Sequence, residues 1–191
     1  MLWLALSYPQ LPLEVFDSEC ASNNRPIVVL ENNKIALCNT AAKSLNILPG
    51  SSIETAQAIQ EELTYFDRDH LLEQKALTSL ATELYVLSSQ ISMPSECAIL
   101  LEIGASIRLF GSKEILAQKA IELSSAAGYQ AFSGVASTPQ AALAFSYSNK
   151  NKLSDIYLTR QKDAGKLYKN LGDFQLNLQT SQLSFIDFGQ Q

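Results

Sequence analysis

An α+β fold, an α/β sandwich, is predicted by three observations. Residues 2–7 (LWLALS) are apolar at nearly every position, as in a strand buried on both faces. From residue 68 to about 88, Leu71, Leu72, Ala76, Leu80, Leu84 and Leu87 recur at spacings of three and four, the stripe of a long amphipathic helix. Setting residues 11–67 aside as an insertion leaves strand, helix, two strands, helix, strand, the ferredoxin-like, split βαβ order.

Each element has its own local cause. Pro9 ends the first strand, and Pro12 suits the first turn of a short helix over 12–19. Residues 26–31 and 34–38 are β-branched-rich runs around Asn32-Asn33, a hairpin signal because Asn tolerates positive φ. Thr40 is the expected cap of a helix over 40–46, which Asn46, Pro49 and Gly50 stop. A short helix over 53–61 and a strand over 64–66 complete the insertion. Met93-Pro94-Ser95 reads as a break, with strands over 97–103 and 106–110 joined around Gly104-Ala105. Ser112 caps a helix over 113–126 that Gly128 closes. A strand over 129–136 follows, then a helix capped by Thr138 with Pro139 at its first position, and a last strand over 155–159.

Composition narrows the functional classes. The chain has 191 residues, 47% of them hydrophobic, enough for a real core. Its net charge of −5 makes it a poor non-specific nucleic-acid binder, since phosphate contacts need clustered Lys and Arg. Lys150, Lys152, Arg160, Lys162, Lys166 and Lys169 form a loosely basic stretch, read either as DNA-facing or as a solvated linker. Cys20, Cys38 and Cys97 are too scattered for a metal cluster and read as thiols in a reducing compartment. The single histidine, His70, lies beside Asp67 and Asp69 at a helix start, where acidic residues suit the helix dipole better than a catalytic pair. The apolar N-terminus has no basic n-region and is interrupted by Pro9 and Pro12, so a cytoplasmic location is expected.

Four stretches, in order, resemble the Y-family (translesion) DNA polymerases over residues 1–160. LWLALSYPQLPLEVF lies ungapped on D-M-D-A-F-F-A-S-V-E, with Glu14 on the glutamate; the two aspartates fall on Ala5 and Ser7. RPIVVLENNKIALCNTAAKSLNILPG is similar to the fingers segment, with the triphosphate-holding tyrosine and arginine on Thr40 and Lys43. ILLEIGASIRLFGS stands where S-I-D-E-A-F-L-D-L-T-G is expected; with Gly111 on the final glycine, the metal aspartate and its glutamate fall on Ile103 and Gly104, and a one-residue slip puts Glu102 on one of them. GYQAFSGVASTPQAALAF is similar to the lysine-bearing G-I-A-x-N-K-L-L-A-K stretch, whose lysines fall on Pro139 and Leu143. The departures resemble those of ImuB-type proteins, polymerase-like factors without catalysis.

The resemblance implies a ferredoxin-like palm (1–10 plus 68–165), an inserted small α/β fingers subdomain (11–67), and a truncated thumb start or tail (166–191). It implies that the degenerate positions Ala5, Ser7, Ile103 and Gly104 hold no metal and no cofactor, so that no nucleotidyl transfer occurs: two magnesium ions need shared carboxylates. Thr40, Lys43 and Arg108 are the candidate nucleotide or DNA contacts, with Arg108 expected on a strand beside the lost site, pairing with Glu102 or touching phosphate. The implied role is in translesion synthesis and the SOS response to DNA damage. DNA would be bound weakly or indirectly, with an error-prone C-family polymerase, a RecA-like protein and the sliding clamp as partners. The clamp-binding segment is expected to be missing from this chain. Two other classes stay open: a protein-docking shell without DNA contact, and an active nucleotidyltransferase with carboxylates drawn from elsewhere.

Overall fold

The structure, a computed structural model, describes residues 1–16 and 25–150. The expected strand over 155–159, the 166–191 tail, Cys20, the basic stretch beyond residue 150 and the end of the 12–19 helix lie outside the described residues. In chain order the elements are β1 (Trp3–Ser7), α1 (Leu11–Glu14), β2 (Ile27–Glu31), β3 (Lys34–Cys38), α2 (Thr40–Ser44), α3 (Ile53–Ile59) and β4 (Thr64–Asp67). They continue with α4 (His70–Leu84), β5 (Ile91–Ser95), β6 (Ala98–Glu102), α5 (Ile107–Phe110), α6 (Lys113–Ala126), β7 (Phe132–Ala136) and α7 (Pro139–Lys150).

The large sheet has the order β5-β6-β1-β7, every neighbouring pair antiparallel. With helices α4 and α6 this is the ferredoxin-like arrangement. Successive residues of β1 point to opposite faces. Leu4 and Leu6, with Ile91, Ile99 and Leu101, meet Leu77, Leu80, Ala81 and Leu84 of α4 and Leu116 and Ala120 of α6. Trp3 and Ala5, with Ala98 and Leu100, meet Ala142 and Leu143 of α7 on the other face. β1 is therefore buried on both sides, as its sequence requires. Gly134 of β7 makes this second layer possible. A Cβ there would overlap the Ala142 carbonyl oxygen and the Ser146 amide, so the α7 backbone lies directly on the strand.

Two central elements differ from the sequence reading. The second strand of the hairpin pair is β6, and its partner is β5, which runs through Met93-Pro94-Ser95. Pro94 is accommodated because β5 is an edge strand with an irregular register between Ser92 and Ser95. Residues 106–110 form no strand. Ile107 and Phe110, three apart, turn onto the core in the single-turn helix α5, while Leu109 is 81% exposed. Gly111, at φ 95°, ends that turn.

The small sheet has the order β3-β2-β4, with β2 and β4 parallel. Asn32 and Asn33, at φ 52° and 60°, make the tight β2–β3 turn. Val28, Leu30 and Ile35 pack against Ala42, Ile47 and Ala56 around α2 and α3. On the other face Ile27 and Val29 meet Leu13, Phe16 and Phe66, and the two phenyl rings stack at 4.7 Å. The cap of α2 is Asn39, one residue earlier than expected. Its side chain accepts from the amides of Ala42 and Ile27 and donates to the Arg25 carbonyl. Ser112 and Thr138 cap α6 and α7 as expected, accepting from the amides of Ile115 and Ala141.

Helix α1 bridges the two units: Leu11 enters the large core and Leu13 the small one. Its Glu14 accepts from the amide of Gln130, just before β7, at 3.1 and 3.3 Å through its two oxygens. Among the described residues, no helix is long and apolar enough to cross a membrane.

Candidate functional site

The end of β1 is the natural place to look for chemistry. Ser7 pairs with Ala98 on one side and Phe132 on the other, and the Tyr8 amide donates to the Cys97 carbonyl at 2.8 Å. The β5–β6 turn, Glu96-Cys97, thus stands beside Ser7. The Ser7 hydroxyl is fully buried and has no hydrogen-bond partner among the described residues. Ala5, two residues back, faces the same side, between Leu100 and Gly134. Tyr147 of α7 comes down on the turn, its hydroxyl 3.5 Å from Ser95 Oγ and 3.7 Å from Cys97 Sγ. Burial pushes that phenol well above its ordinary range.

Ile103 and Gly104 are elsewhere. They follow β6 at the opposite end of β1, where the Ile103 amide donates to the Leu2 carbonyl at 2.8 Å. At about 3.3 Å per strand residue, the length of β1 separates Ser7 from Trp3 by roughly 13 Å. Ala5 and Ser7 therefore do not converge with Ile103 and Gly104 on one ion. Glu102 has a structural task at that far end: its Oε1 accepts from the amides of Leu2 and Gly104 at 3.1 and 3.2 Å. Arg108 lies in the α5 turn rather than on a strand, is exposed, and forms no ion pair among the described residues.

The remaining candidates are also apart. Thr40 and Lys43 are exposed on α2 of the small-sheet unit. Lys43 lies near Cys38, but burial outweighs its charge and holds the thiol above its usual range. Pro139 opens α7, and Leu143 is packed into the core under it.

Sequence reasoning missed a cluster of charge that the described residues form at this end of the sheet. Arg68, between β4 and α4, donates from Nε and Nη2 to the two oxygens of Glu73, at 2.7 and 2.8 Å. The same guanidinium reaches Glu31 of β2 and Glu96 of the turn, each at 3.2 Å. His70 lies between the last two, 3.5 Å from Glu31 and 3.4 Å from Glu96. Asp69, beside it, caps α4 by accepting from the amides of Leu71 and Leu72.

His70, Glu73 and Glu96 offer ligand atoms within 4.8 Å of one another, the spacing of a cation site. The fixed cation is already there, however. Arg68 occupies both oxygens of the buried Glu73, and those hydrogen bonds hold the guanidinium firmly charged. A divalent ion would have to displace it, and magnesium favours oxygen over imidazole.

A textual signal for this turn was present. Sliding the pattern S-I-D-E-A so that its alanine falls on Ala98 puts Glu96 on the aspartate and Cys97 on the glutamate. In that register one carboxylate remains, and it is bound to Arg68.

Solved structures share this architecture. The Dbh ternary complex superposes with a TM-score of 0.64 at 18% identity, over 78% of this chain and 45% of that one. The insertion ternary complex of Dbh DNA polymerase gives 0.64 at 18% identity, over 85% and 50%. DinB from Sulfolobus solfataricus gives 0.60 at 18% identity, over 78% and 46%. The likeness is one of fold, palm and fingers together, and the chain spans about half the length of the polymerases it matches. A comparison with curated proteins finds no match. The model of the impB/mucB/samB family matches residues 15–146, well over half of the sequence, and the chain therefore belongs to that family.

Proposed function

We propose that this domain is a non-catalytic, ImuB-type relative of the Y-family polymerases, serving translesion synthesis as an accessory to an error-prone polymerase. The observation that carries this reading is the α7-facing side of β1. Where the family pattern has aspartates, Ala5 is packed in an apolar cluster with Leu100, Ala142 and Leu143, and Ser7 offers only a buried neutral hydroxyl. Two-metal phosphoryl transfer needs cations about 3.5–4 Å apart on shared carboxylates. Among the described residues, the carboxylate of the turn beside Ser7 is that of Glu96, and Arg68 already neutralises part of its charge.

The net charge of −5 favours weak or indirect DNA contact, with the implied C-family polymerase, RecA-like protein and sliding clamp supplying affinity. That same charge supports a second reading, a docking shell that touches only proteins. The test is a titration of the chain with a fluorescent primer-template, at low and moderate salt, with magnesium and nucleotides present. Salt-sensitive binding without extension is the expected result. No binding at low salt would favour the docking shell. Extension above background, lost in Glu96→Gln, would overturn the non-catalytic reading.

A further inference from the structure

The two sheets have separate cores, and among the described residues α1, with one leucine in each core, and the Arg68 cluster both join them. Arg68 stands where the chain leaves the small sheet for α4. Its amide donates to the Leu30 carbonyl of β2 at 2.9 Å, so its backbone belongs to the small sheet. Its guanidinium is fixed by Glu73, whose side chain is 1% exposed, on the large unit. The two remaining arms are accessible: Glu31 on the small sheet is 39% exposed, and Glu96 on the large sheet's hairpin 68%.

We propose that Arg68 is the pin of an electrostatic latch that sets the angle of the small-sheet unit on the large one, with Glu31 and Glu96 as its releasable arms. The buried Glu73 arm keeps the pin in place when the outer arms open. His70 lies between the two outer carboxylates, 3.5 Å from Glu31 and 3.4 Å from Glu96. Opening the latch swings the small unit about α1, which holds both cores by single leucines, without unfolding either core. The device needs no DNA and is independent of whether the chain catalyses anything.

The test is hydrogen–deuterium exchange on the full chain, comparing native protein with the double variant Glu31→Gln/Glu96→Gln. Two partly exposed ion pairs are together worth about 1 kcal/mol, so exchange at the start of α4, residues 69–73, and in α1 should rise about fivefold, with β4 keeping its protection beside β2. Amides of β1, β2 and β6 should keep their protection. Native protein taken to about 1 M salt, where the Debye length is about 3 Å, should show the same local rise without any substitution, and the double variant should lose that salt response. Unchanged exchange at the joint in both experiments overturns the latch. So does a rise spread evenly over both cores, which would report general destabilisation rather than a hinge.

Discussion

Replacing Glu14 by Gln should make the protein more stable at high pH and leave it nearly unchanged at low pH. The Glu14 carboxyl, at the end of α1, is half-buried, with the Gln130 amide as its hydrogen-bond donor. Burial pushes its pKa from 4.5 up to about 7, partly offset by that hydrogen bond. The folded chain therefore holds this proton more tightly than the unfolded chain does. The group destabilises the fold progressively as pH rises from about 4.5 through about 7, and its full penalty stands above that. Linkage alone gives roughly 3 kcal/mol for such a shift, and the part of the carboxyl still reached by water reduces this to about 1–2 kcal/mol. Glutamine keeps an oxygen for the Gln130 amide and carries no charge. Urea unfolding of both proteins, followed by circular dichroism at about pH 5 and about pH 8, should show Glu14→Gln ahead by about 1–2 kcal/mol only at the higher pH. A variant that loses stability equally at both values would refute the argument, because the carboxylate would then be a favourable group.

Three further substitutions probe the framework. Gly134→Ala forces the α7 backbone off β7, with Phe145 carbonyl carbon only 2.8 Å from the new Cβ, and should cost about 3 kcal/mol in chemical denaturation. Tyr8→Phe removes a buried hydroxyl that bonds Ser124 Oγ at 3.0 Å; Ser124 still donates to the Ala120 carbonyl, so the loss should stay near 1 kcal/mol. Asp69→Ala leaves the amides of Leu71 and Leu72 without their cap and should lower stability by about 1 kcal/mol, read as a drop in the thermal midpoint.

Local rules account for the parts of the fold that were readable beforehand. An unbroken apolar run forecast β1 buried on two faces, the Asn pair forecast the hairpin, and Ser112 and Thr138 announced their helices. The failures have physical causes too. Pro94 argues against a strand until the strand is known to be an edge. Residues 106–110 alternate like a strand, yet Ile107 and Phe110 also satisfy a helical turn, and packing chose the turn. The Arg68 cluster draws carboxylates from β2, α4 and the β5–β6 turn. Periodicity carries no sign of such a meeting, because only the tertiary fold makes those segments neighbours.

The central place of β1 also bears on how the chain reaches its native state. Ala5 finds its partners at Leu100 and Gly134, across most of the described sequence, whereas β2, β3 and β4 pair within residues 27–67. Short loops close at little entropic cost and long ones slowly, so the small sheet is the early-forming unit. β1, ahead of the other described strands in chain order, is thus among the last to be enclosed. Until α4, β6 and β7 arrive, its run of apolar side chains has two unpaired edges, and that interval is when the chain is most exposed to self-association.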